Sequence, residues 1–288
     1  MPKRPDVLVL GAVAYAPKVV TIWEGFKAYF IRHDLPFDYV LYSNYETQVE
    51  ALLDGQCDVA WNSPLAWVRA ERLAQTRGTR VQAIAMRDTD CDLTSVIAVR
   101  ADSRIADAAG LRDKVVAVGA IDSPQATLIP LSHLRARGLR PGVDFEVQRH
   151  DRLGGKHGDH VGGELEAARS LLAGTADAAC MIAGNYAAWL ADGTIPAGAT
   201  RVIAETPPYD HCNFTVGPAA PAALVERFNA LLLAMSYDDP DARPLMELEG
   251  LTRWRAGRVG GYQPLEAAVD AFEFYGRDGA ITEAEYQY

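Results

Sequence analysis

An internal repeat constrains the fold of this chain more than any other feature of its sequence. Residues 8–13, an apolar run that contains a glycine, recur as residues 116–121. Residues 51–60, which combine a helix end, a Gly-x-x-Asp turn and a strand, recur as residues 170–179. A repeat of this length indicates two structural units of one kind. Because the second pair is shifted further along the chain than the first, we expect an insertion in the second copy, in the glycine- and histidine-rich segment 153–163.

The secondary structure predicted around the repeat alternates between strands and helices. Residues 7–10 form a continuous apolar run, as in a strand that is covered on both faces. Residues 17–32 carry apolar side chains at helical spacing, and residues 37–42 alternate like a second strand. A helix over 45–53 and a strand over 57–61 follow. The pattern predicts an α/β fold in which each unit is a mostly parallel sheet flanked by helices.

Two predicted crossings divide the chain into two lobes. The chain is expected to pass between the lobes near residues 92–100 and again near residues 206–215. The first lobe then consists of residues 1–95 and 210–288, and the second lobe of residues 96–209. Because α/β sheets bind ligands beyond the carboxyl ends of their strands, this arrangement predicts a clam-shell with a ligand cleft between the lobes.

Composition and charge exclude several classes of partner. The chain has 28 Lys and Arg residues against 38 Asp and Glu residues, a formal net charge of −10, and no block of like charges. Nucleic acids and anionic membrane surfaces need a basic face, so neither is an expected partner. No apolar run is long enough to insert into a membrane, and no secretory apolar region follows the N-terminus, so the sequence favours a cytoplasmic location. Nothing in the sequence predicts the oligomeric state.

The four cysteines, at positions 57, 91, 180 and 212, are expected to be reduced thiols. They contain no CxxC pair and no dense spacing. A disulfide framework or a structural zinc knuckle would need one of these patterns.

Six segments carry a resemblance to a known family. They are residues 50–60, 95–103, 111–119, 171–177, 206–213 and 260–266. In this order and spacing the chain resembles the type II periplasmic-binding-protein fold. Within that fold it is similar to the PhnD-like substrate-binding proteins of ABC transporters for phosphonate, phosphite and phosphate. The resemblance implies a clam-shell that closes on a small anion, held by hydroxyls and amides at a helix N-terminus in the second lobe.

The turn that corresponds to the phosphonate loop of that family follows the predicted strand that contains residues 116–118. It contains Ser123, Gln125 and Thr127. Ser123 is placed to cap a helix whose first residue is Pro124, and the N–H groups that follow can hold an oxyanion. Because an amide lies between the two hydroxyls, a planar carboxylate or a neutral heterocycle is as acceptable a ligand as a tetrahedral phosphonate.

The other candidate ligand-binding residues lie at predicted strand ends or in segments that resemble the family. Tyr15 follows the first strand, Asn62 and Ser63 end a later one, and Asn185 occupies the corresponding place in the second copy. The resemblance adds Tyr45, His211 and Asn213, although a tyrosine at a helix start, such as Tyr45, is as often a packing residue.

Three histidines fall in or beside the predicted insertion: His150, His157 and His160. Histidines with nearby carboxylates can bind a transition metal. The surrounding glycines are equally typical of a mobile flap that contacts a ligand, for which His157 and His160 are the candidates. A third alternative is a solvated loop whose histidines contact nothing. The sequence therefore commits to no metal and no other cofactor.

Two functions are consistent with these residues. The first is a cytoplasmic receptor that binds a small polar metabolite, expected to be anionic. The alternative is a hydrolase or lyase on the same fold, acting on a small carboxylated or heterocyclic substrate, with His160, His211 and Cys212 as catalytic residues. Because neighbouring residues on an extended strand point to opposite faces, we expect His211 not to activate Cys212 directly.

Overall fold

The computed structural model describes residues 6–152, 154–158 and 162–288, and they form two compact units. The first unit comprises the chain up to Cys91 together with Asp210–Tyr262 and Tyr275–Ile281. The second comprises Asp92–Tyr209, Gln263–Phe274 and Thr282–Tyr288. The sequence hypothesis had assigned all residues after 210 to the first lobe. Two short C-terminal segments instead lie in the second unit. Arg135 donates to the carbonyl of Ala271 in the first segment, and Arg149 forms an ion pair with Glu285 in the second.

The elements run along the chain in the following order. The first part contains β1 (Leu8–Val13), α1 (Lys18–Arg32), β2 (Phe37–Tyr42), α2 (Tyr45–Leu53), β3 (Val59–Asn62), α3 (Pro64–Thr76), β4 (Gln82–Arg87), β5 (Ser95–Arg100), β6 (Val115–Val118), α4 (Ile129–Arg135) and β7 (Glu146–Arg149). The rest contains α5 (Glu164–Ala173), β8 (Ala178–Ile182), α6 (Ala183–Ala191), β9 (Thr200–Glu205), β10 (Asn213–Val216), α7 (Ala222–Ala234), α8 (Arg243–Glu249), β11 (Trp254–Ala256) and α9 (Gln263–Ala271).

The sheet of the first unit has the strand order β11-β4-β10-β3-β1-β2. β1 is parallel to β2 and β3, whereas β10 is antiparallel to both of its neighbours. Because β10 runs in the opposite direction, its first residue, Asn213, lies opposite Asn62, the last residue of β3. The residues just before β10 are thereby brought to the carboxyl end of β3, where α/β sheets bind ligands.

The sheet of the second unit has the order β7-β6-β8-β5-β9. β6 is parallel to β7 and β8, and β5 is antiparallel to β8 and β9. Both sheets are therefore mixed. The prediction of an α/β fold with two lobes is confirmed, and one reversed strand in the interior of each sheet is the detail that the strand pattern did not predict.

An aromatic core covers one face of the first sheet. Helix α1 buries Trp23, Phe26 and Phe30 against the strands, with Phe214 and Phe228 completing the cluster. The helical spacing of apolar residues had placed Val20 and Ile31 on the buried face of this helix, but their side chains are exposed. Ile22 and Tyr29 are buried in their place. Burial at positions three and four apart is what stabilises an amphipathic helix on a sheet.

The repeated Gly-x-x-Asp turn makes the same contact in both units. In the first unit, Asp58 Oδ2 accepts a hydrogen bond from the backbone N–H of Val9 at 2.9 Å. In the second, Asp177 Oδ2 accepts one from the N–H of Val115 at 3.0 Å. Each carboxylate accepts a hydrogen bond from a backbone N–H at the start of a strand, β1 in the first unit and β6 in the second. The repeat in the sequence therefore corresponds to the same contact in both units.

Candidate functional site

The carboxyl end of β3 and the amino end of β10 are joined by a chain of side-chain hydrogen bonds in the first unit. Gln48 Nε2 donates to Asn62 Oδ1 at 2.8 Å, and Asn62 Nδ2 donates to Thr215 Oγ1 at 2.9 Å. Thr215 Oγ1 donates to Asn213 Oδ1 at 2.7 Å. Asn213 Nδ2 donates to the Tyr262 hydroxyl at 2.8 Å, and that hydroxyl donates to the carbonyl of His211 at 2.8 Å. Asn62 and Asn213 are fully buried and use their amides to hold neighbouring elements together. Their role as ligand-binding residues stays a prediction.

The three other candidates of the first unit occupy different positions. Ser63 caps α3, because its hydroxyl accepts a hydrogen bond from the N–H of Ala66 at 3.1 Å. Tyr45 begins α2 and packs in a buried apolar cluster with Val13 and Val49. Tyr15 is partly exposed, and the ammonium of Lys18 lies 5.7 Å from the centre of its ring. Of these three, Tyr15 has the most accessible side chain.

His211 and Cys212 are in direct contact, which corrects the sequence argument against it. His211 Nδ1 lies 3.1 Å from Cys212 Sγ and 3.5 Å from Asp90 Oδ1. Both residues precede β10, which begins at Asn213, so the alternation of side chains along a strand does not apply to them. Asp90, His211 and Cys212 are each at most 2% exposed, so the cluster is buried.

A buried arginine holds the carboxylate of this cluster. Arg87 Nε donates to Asp90 Oδ2 at 2.5 Å and Arg87 Nη2 donates to Asp90 Oδ1 at 3.0 Å. Its remaining amino group donates to the carbonyl and to the carboxylate of Glu249. Burial alone would lower the pKa of the Arg87 guanidinium, but Asp90 and Glu249 raise it well above its usual range, so the group stays charged. The sequence analysis did not single out Arg87, Asp90 or Glu249, although Arg87 ends a strand and Asp90 follows it closely.

In the second unit, Ser123 begins a helical segment as predicted. Its hydroxyl oxygen accepts a hydrogen bond from the N–H of Ala126 at 3.2 Å, and Pro124 occupies the first helical position. The first turn, Pro124–Leu128, is π-helical and continues into α4. Both Thr127 and Leu128 donate their N–H groups to the carbonyl of Ser123. These N–H groups are therefore engaged within the turn, and the side-chain hydroxyls become the main donors that it offers to an anion.

The side chains of the turn are buried, and one hydroxyl lacks a partner. Ser123 and Gln125 are fully buried and Thr127 is 4% exposed. The Thr127 hydroxyl has no hydrogen-bond partner among the described residues. The carbonyl of Gln125 accepts a hydrogen bond from the hydroxyl of Ser95 at 2.6 Å, which in turn lies 2.6 Å from the hydroxyl of Tyr209. Thr127 also lines a cavity of about 680 Å³ within this unit.

Part of the predicted insertion packs on the turn. The N–H of His157 donates to Asp122 Oδ2 at 2.8 Å. Gly158 follows with a φ of +66°, and a Cβ atom at this position would lie only 2.6 Å from Cβ of Ser123. His157 is 1% exposed, which contradicts the alternative of a fully solvated loop for this histidine. His160 lies outside the described residues.

A buried carboxylate lies behind the turn. Glu164, the first residue of α5, accepts hydrogen bonds from the N–H of Ile182 at 2.8 Å and from Asn185 Nδ2 at 3.1 Å. Burial raises the pKa of Glu164 to about 7, and the hydrogen bonds from Ile182, Asn185 and Gln125 offset part of that rise. Asn185, a predicted ligand residue, is thus in contact with a titratable group. The sequence patterns did not identify Glu164 as a site residue, because periodicity does not reveal which charged residue is buried.

Of the three histidines proposed for metal binding, His150 and His157 lie in the described part of the chain, and each contacts a different residue. His150 Nε2 lies 3.1 Å from the hydroxyl of Ser170, and His157 lies beside Tyr286, with ring centres 6.4 Å apart. Within residues 6–152, 154–158 and 162–288, the cluster of three potential metal ligands is instead Asp90, His211 and Cys212. All four cysteines are free thiols.

The sequence matches the family described as ABC transporter, phosphonate, periplasmic substrate-binding protein over residues 13–259. The chain belongs to this family. Its members bind solutes, so the PhnD-like resemblance inferred from the sequence is confirmed, and so is the association with ABC transporters. No curated protein sequence matches the chain significantly.

Solved structures of substrate-binding proteins share the fold of this family member. PhnD1 from Prochlorococcus marinus, in complex with methylphosphonate, is 16% identical with a TM-score of 0.69, over 94% of this chain and 99% of that one. XAC2383 from Xanthomonas citri, bound to ATP, is 18% identical with a TM-score of 0.69, over 92% and 98%. The aliphatic sulphonate binding protein SsuA from Escherichia coli is 16% identical with a TM-score of 0.58, over 99% and 94%.

At these identities the neighbours establish the fold, and the ligand of this chain must be argued from its own residues. None of the helices in the described ranges combines the length and the apolar character that a membrane span requires. The cytoplasmic location and the catalytic alternative stay predictions.

Proposed function

We propose that this substrate-binding protein binds a small organic anion at the turn that begins with Ser123. The observation that carries the proposal is the Thr127 hydroxyl, which is buried and has no hydrogen-bond partner among the described residues. A buried hydroxyl without a partner loses about 1–3 kcal/mol relative to one that is hydrogen-bonded. An anionic oxygen that accepts its proton would remove this cost.

Ser123 contributes a second donor to the same ligand. Its oxygen is already the acceptor for the N–H of Ala126, so its own O–H hydrogen is directed to another acceptor. The helical segment that follows Ser123 also presents the positive end of its dipole to this place, which favours a negative charge. Hydroxyls and a helix start select a small acceptor-rich group, such as a phosphonate, a sulphonate or a carboxylate.

Two known members of the fold agree with this choice of ligand class. PhnD1 was solved with methylphosphonate, and SsuA is described as a binding protein for aliphatic sulphonates. Gln125, the polar side chain between the two hydroxyls, donates to the buried carboxylate of Glu164, so the hydroxyls are the side chains of the turn that a ligand would contact.

Isothermal titration calorimetry with methylphosphonate, methanesulphonate, acetate and inorganic phosphate tests the proposal. We expect one of these anions to bind, and we expect Thr127→Val and Ser123→Ala each to weaken it by about 10- to 150-fold, the loss of one charge-assisted hydrogen bond. Ser132→Ala, on the same helix, is the matched control and should leave the dissociation constant unchanged. Binding that both site variants leave intact would place the anion elsewhere, and exclusive binding of neutral compounds would exclude the proposed ligand class.

A further inference from the structure

Three side chains with different metal-binding atoms converge in the first unit. One carboxylate oxygen of Asp90, one ring nitrogen of His211 and the sulfur of Cys212 all lie within 4.8 Å of one another. We propose that these residues bind one divalent transition-metal ion of the zinc and cobalt class. This site is independent of the proposed anion site, because its ligands belong to the other unit.

Two of the three separations between the ligand atoms match the edges of a tetrahedral site. Metal bonds of about 2.3 Å to sulfur and about 2.0–2.1 Å to nitrogen and oxygen place neighbouring ligand atoms roughly 3.3–3.6 Å apart. His211 Nδ1 lies 3.1 Å from Cys212 Sγ and 3.5 Å from Asp90 Oδ1. The sulfur of Cys212 and a carboxylate oxygen of Asp90 lie within 4.8 Å of each other, and metal binding would hold them roughly 3.6 Å apart.

The backbone and the neighbouring side chains hold the ligands in place. The N–H of His211 donates to the carbonyl of Asp90 at 2.8 Å, so the two ligand-bearing segments are already paired. Cys212 comes immediately before β10 and is fixed by the start of that strand. Arg87 orients the Asp90 carboxylate from the outside, as outer hydrogen-bond partners do for the carboxylate ligands of metal sites.

The local charges are compatible with a dication. Asp90 contributes one negative charge, and Arg87 holds its carboxylate through two hydrogen bonds. The positive charge of Arg87 is itself countered by Glu249, whose Oε2 lies 3.1 Å away. On binding, the Cys212 thiol releases its proton to solvent, and the thiolate together with Asp90 balances the two positive charges of the ion.

The donor set indicates which cations would bind. Imidazole nitrogen and thiolate sulfur favour borderline-soft ions, whereas Mg²⁺ and Ca²⁺ prefer sites made of oxygen atoms. All three ligand residues are at most 2% exposed, so the ion would be enclosed by protein. Three protein ligands leave a fourth position of a tetrahedron for water or another small ligand.

Cobalt titration of the full-length protein, first stripped of metal with a chelator and kept reduced, tests the site. We expect binding of one Co²⁺ per chain, with a thiolate-to-cobalt charge-transfer band and the visible bands of a tetrahedral ion. Excess Zn²⁺ should abolish these bands and excess Mg²⁺ should not. Cys212→Ser should remove the charge-transfer band and weaken Co²⁺ binding more than about 100-fold, beyond the effect of losing an outer partner.

Cys91→Ser is the matched control, because Cys91 is the residue next to Asp90 and its thiol is the alternative sulfur ligand. This variant should keep the full spectrum; loss of the band in it, rather than in Cys212→Ser, would overturn the assignment. If Cys212→Ser fails to fold, X-ray absorption of the cobalt-loaded wild-type protein tests the site instead. One sulfur among nitrogen and oxygen neighbours is the expected result, and a shell without sulfur, or no bound cobalt, would refute the site.

Discussion

The buried carboxylate of Glu164 gives the stability of this protein a specific dependence on pH. Burial raises the pKa of Glu164 from its ordinary value of 4.5 to about 7 in the folded protein. In the unfolded chain the group ionises near its ordinary value, so between about pH 4.5 and pH 7 the folded state binds more protons than the unfolded state. The free energy of unfolding therefore falls as the pH rises through this window.

The size of the effect follows from the difference in pKa. One pKa unit corresponds to about 1.4 kcal/mol, so a rise from 4.5 to about 7 amounts to roughly 3 kcal/mol. That amount is fully expressed above pH 7, where the folded protein must hold a charged carboxylate at a position that is 0% exposed. Glu164→Gln keeps the shape and an acceptor oxygen for the N–H of Ile182 but cannot ionise. It should therefore be the more stable protein at pH 8 and close to the wild type at pH 4.5.

Urea unfolding at several pH values between 4.5 and 8 measures this difference. The control is Glu166→Gln, which removes a charge from the same turn of α5 where the side chain, at 23% exposure, forms an ion pair with Arg152. For Glu164→Gln, the difference in unfolding free energy from the wild type should grow by roughly 3 kcal/mol across the range. A difference that stays flat with pH, or one that Glu166→Gln reproduces, would refute the assignment of a raised pKa to Glu164.

Two further substitutions test contacts on which the proposed sites depend. In Gly158→Ala, the alanine would have a φ of +66° and its Cβ atom would lie 2.6 Å from Cβ of Ser123. The control is Gly193→Ala, in which φ is +81° and the Cβ atom would meet nothing within 4 Å. Both variants should lose the roughly 1–2 kcal/mol of a left-handed alanine in thermal unfolding, but only Gly158→Ala should also weaken anion binding in calorimetry. Arg87→Met leaves two buried carboxylates without their cation and should cost about 3–5 kcal/mol in urea unfolding. Removing the exposed ion pair with Arg77→Met should cost less than about 1 kcal/mol, and equal losses would contradict the argument from burial.

The features that the sequence predicted well are those encoded by local patterns. The Gly-x-x-Asp repeat predicted two units, and in each the aspartate accepts the same backbone N–H, through Asp58 and Asp177. The cap formed by Ser123 and Pro124 was likewise a local pattern and was predicted correctly. In both cases the signal is a short run of neighbouring residues, Gly-x-x-Asp or Ser-Pro.

The features that were missed depend on which distant segments pair. A run of apolar residues reads the same in either direction, so the sequence could not show that β5 and β10 run against their neighbours. That reversal places His211 and Cys212 beside β3 and next to Asp90, more than a hundred residues earlier in the chain. The burial of Glu164 is also decided by distant residues, since its partners lie on β8 and α6.

The insertion in the second copy explains why the two copies of the repeat differ chemically. At the end of β3 the polar side chains are bonded to one another, and Asn62 is fully buried within that network. In the second copy, Gly158 of the insertion instead packs on Ser123, and the hydroxyl of Thr127 stays without a partner among the described residues. A buried polar group without a partner costs free energy, and an acceptor on a ligand would remove that cost. The difference between the copies therefore supports the proposal that the anion binds to the second unit, and the ligand role of Asn62 stays a prediction.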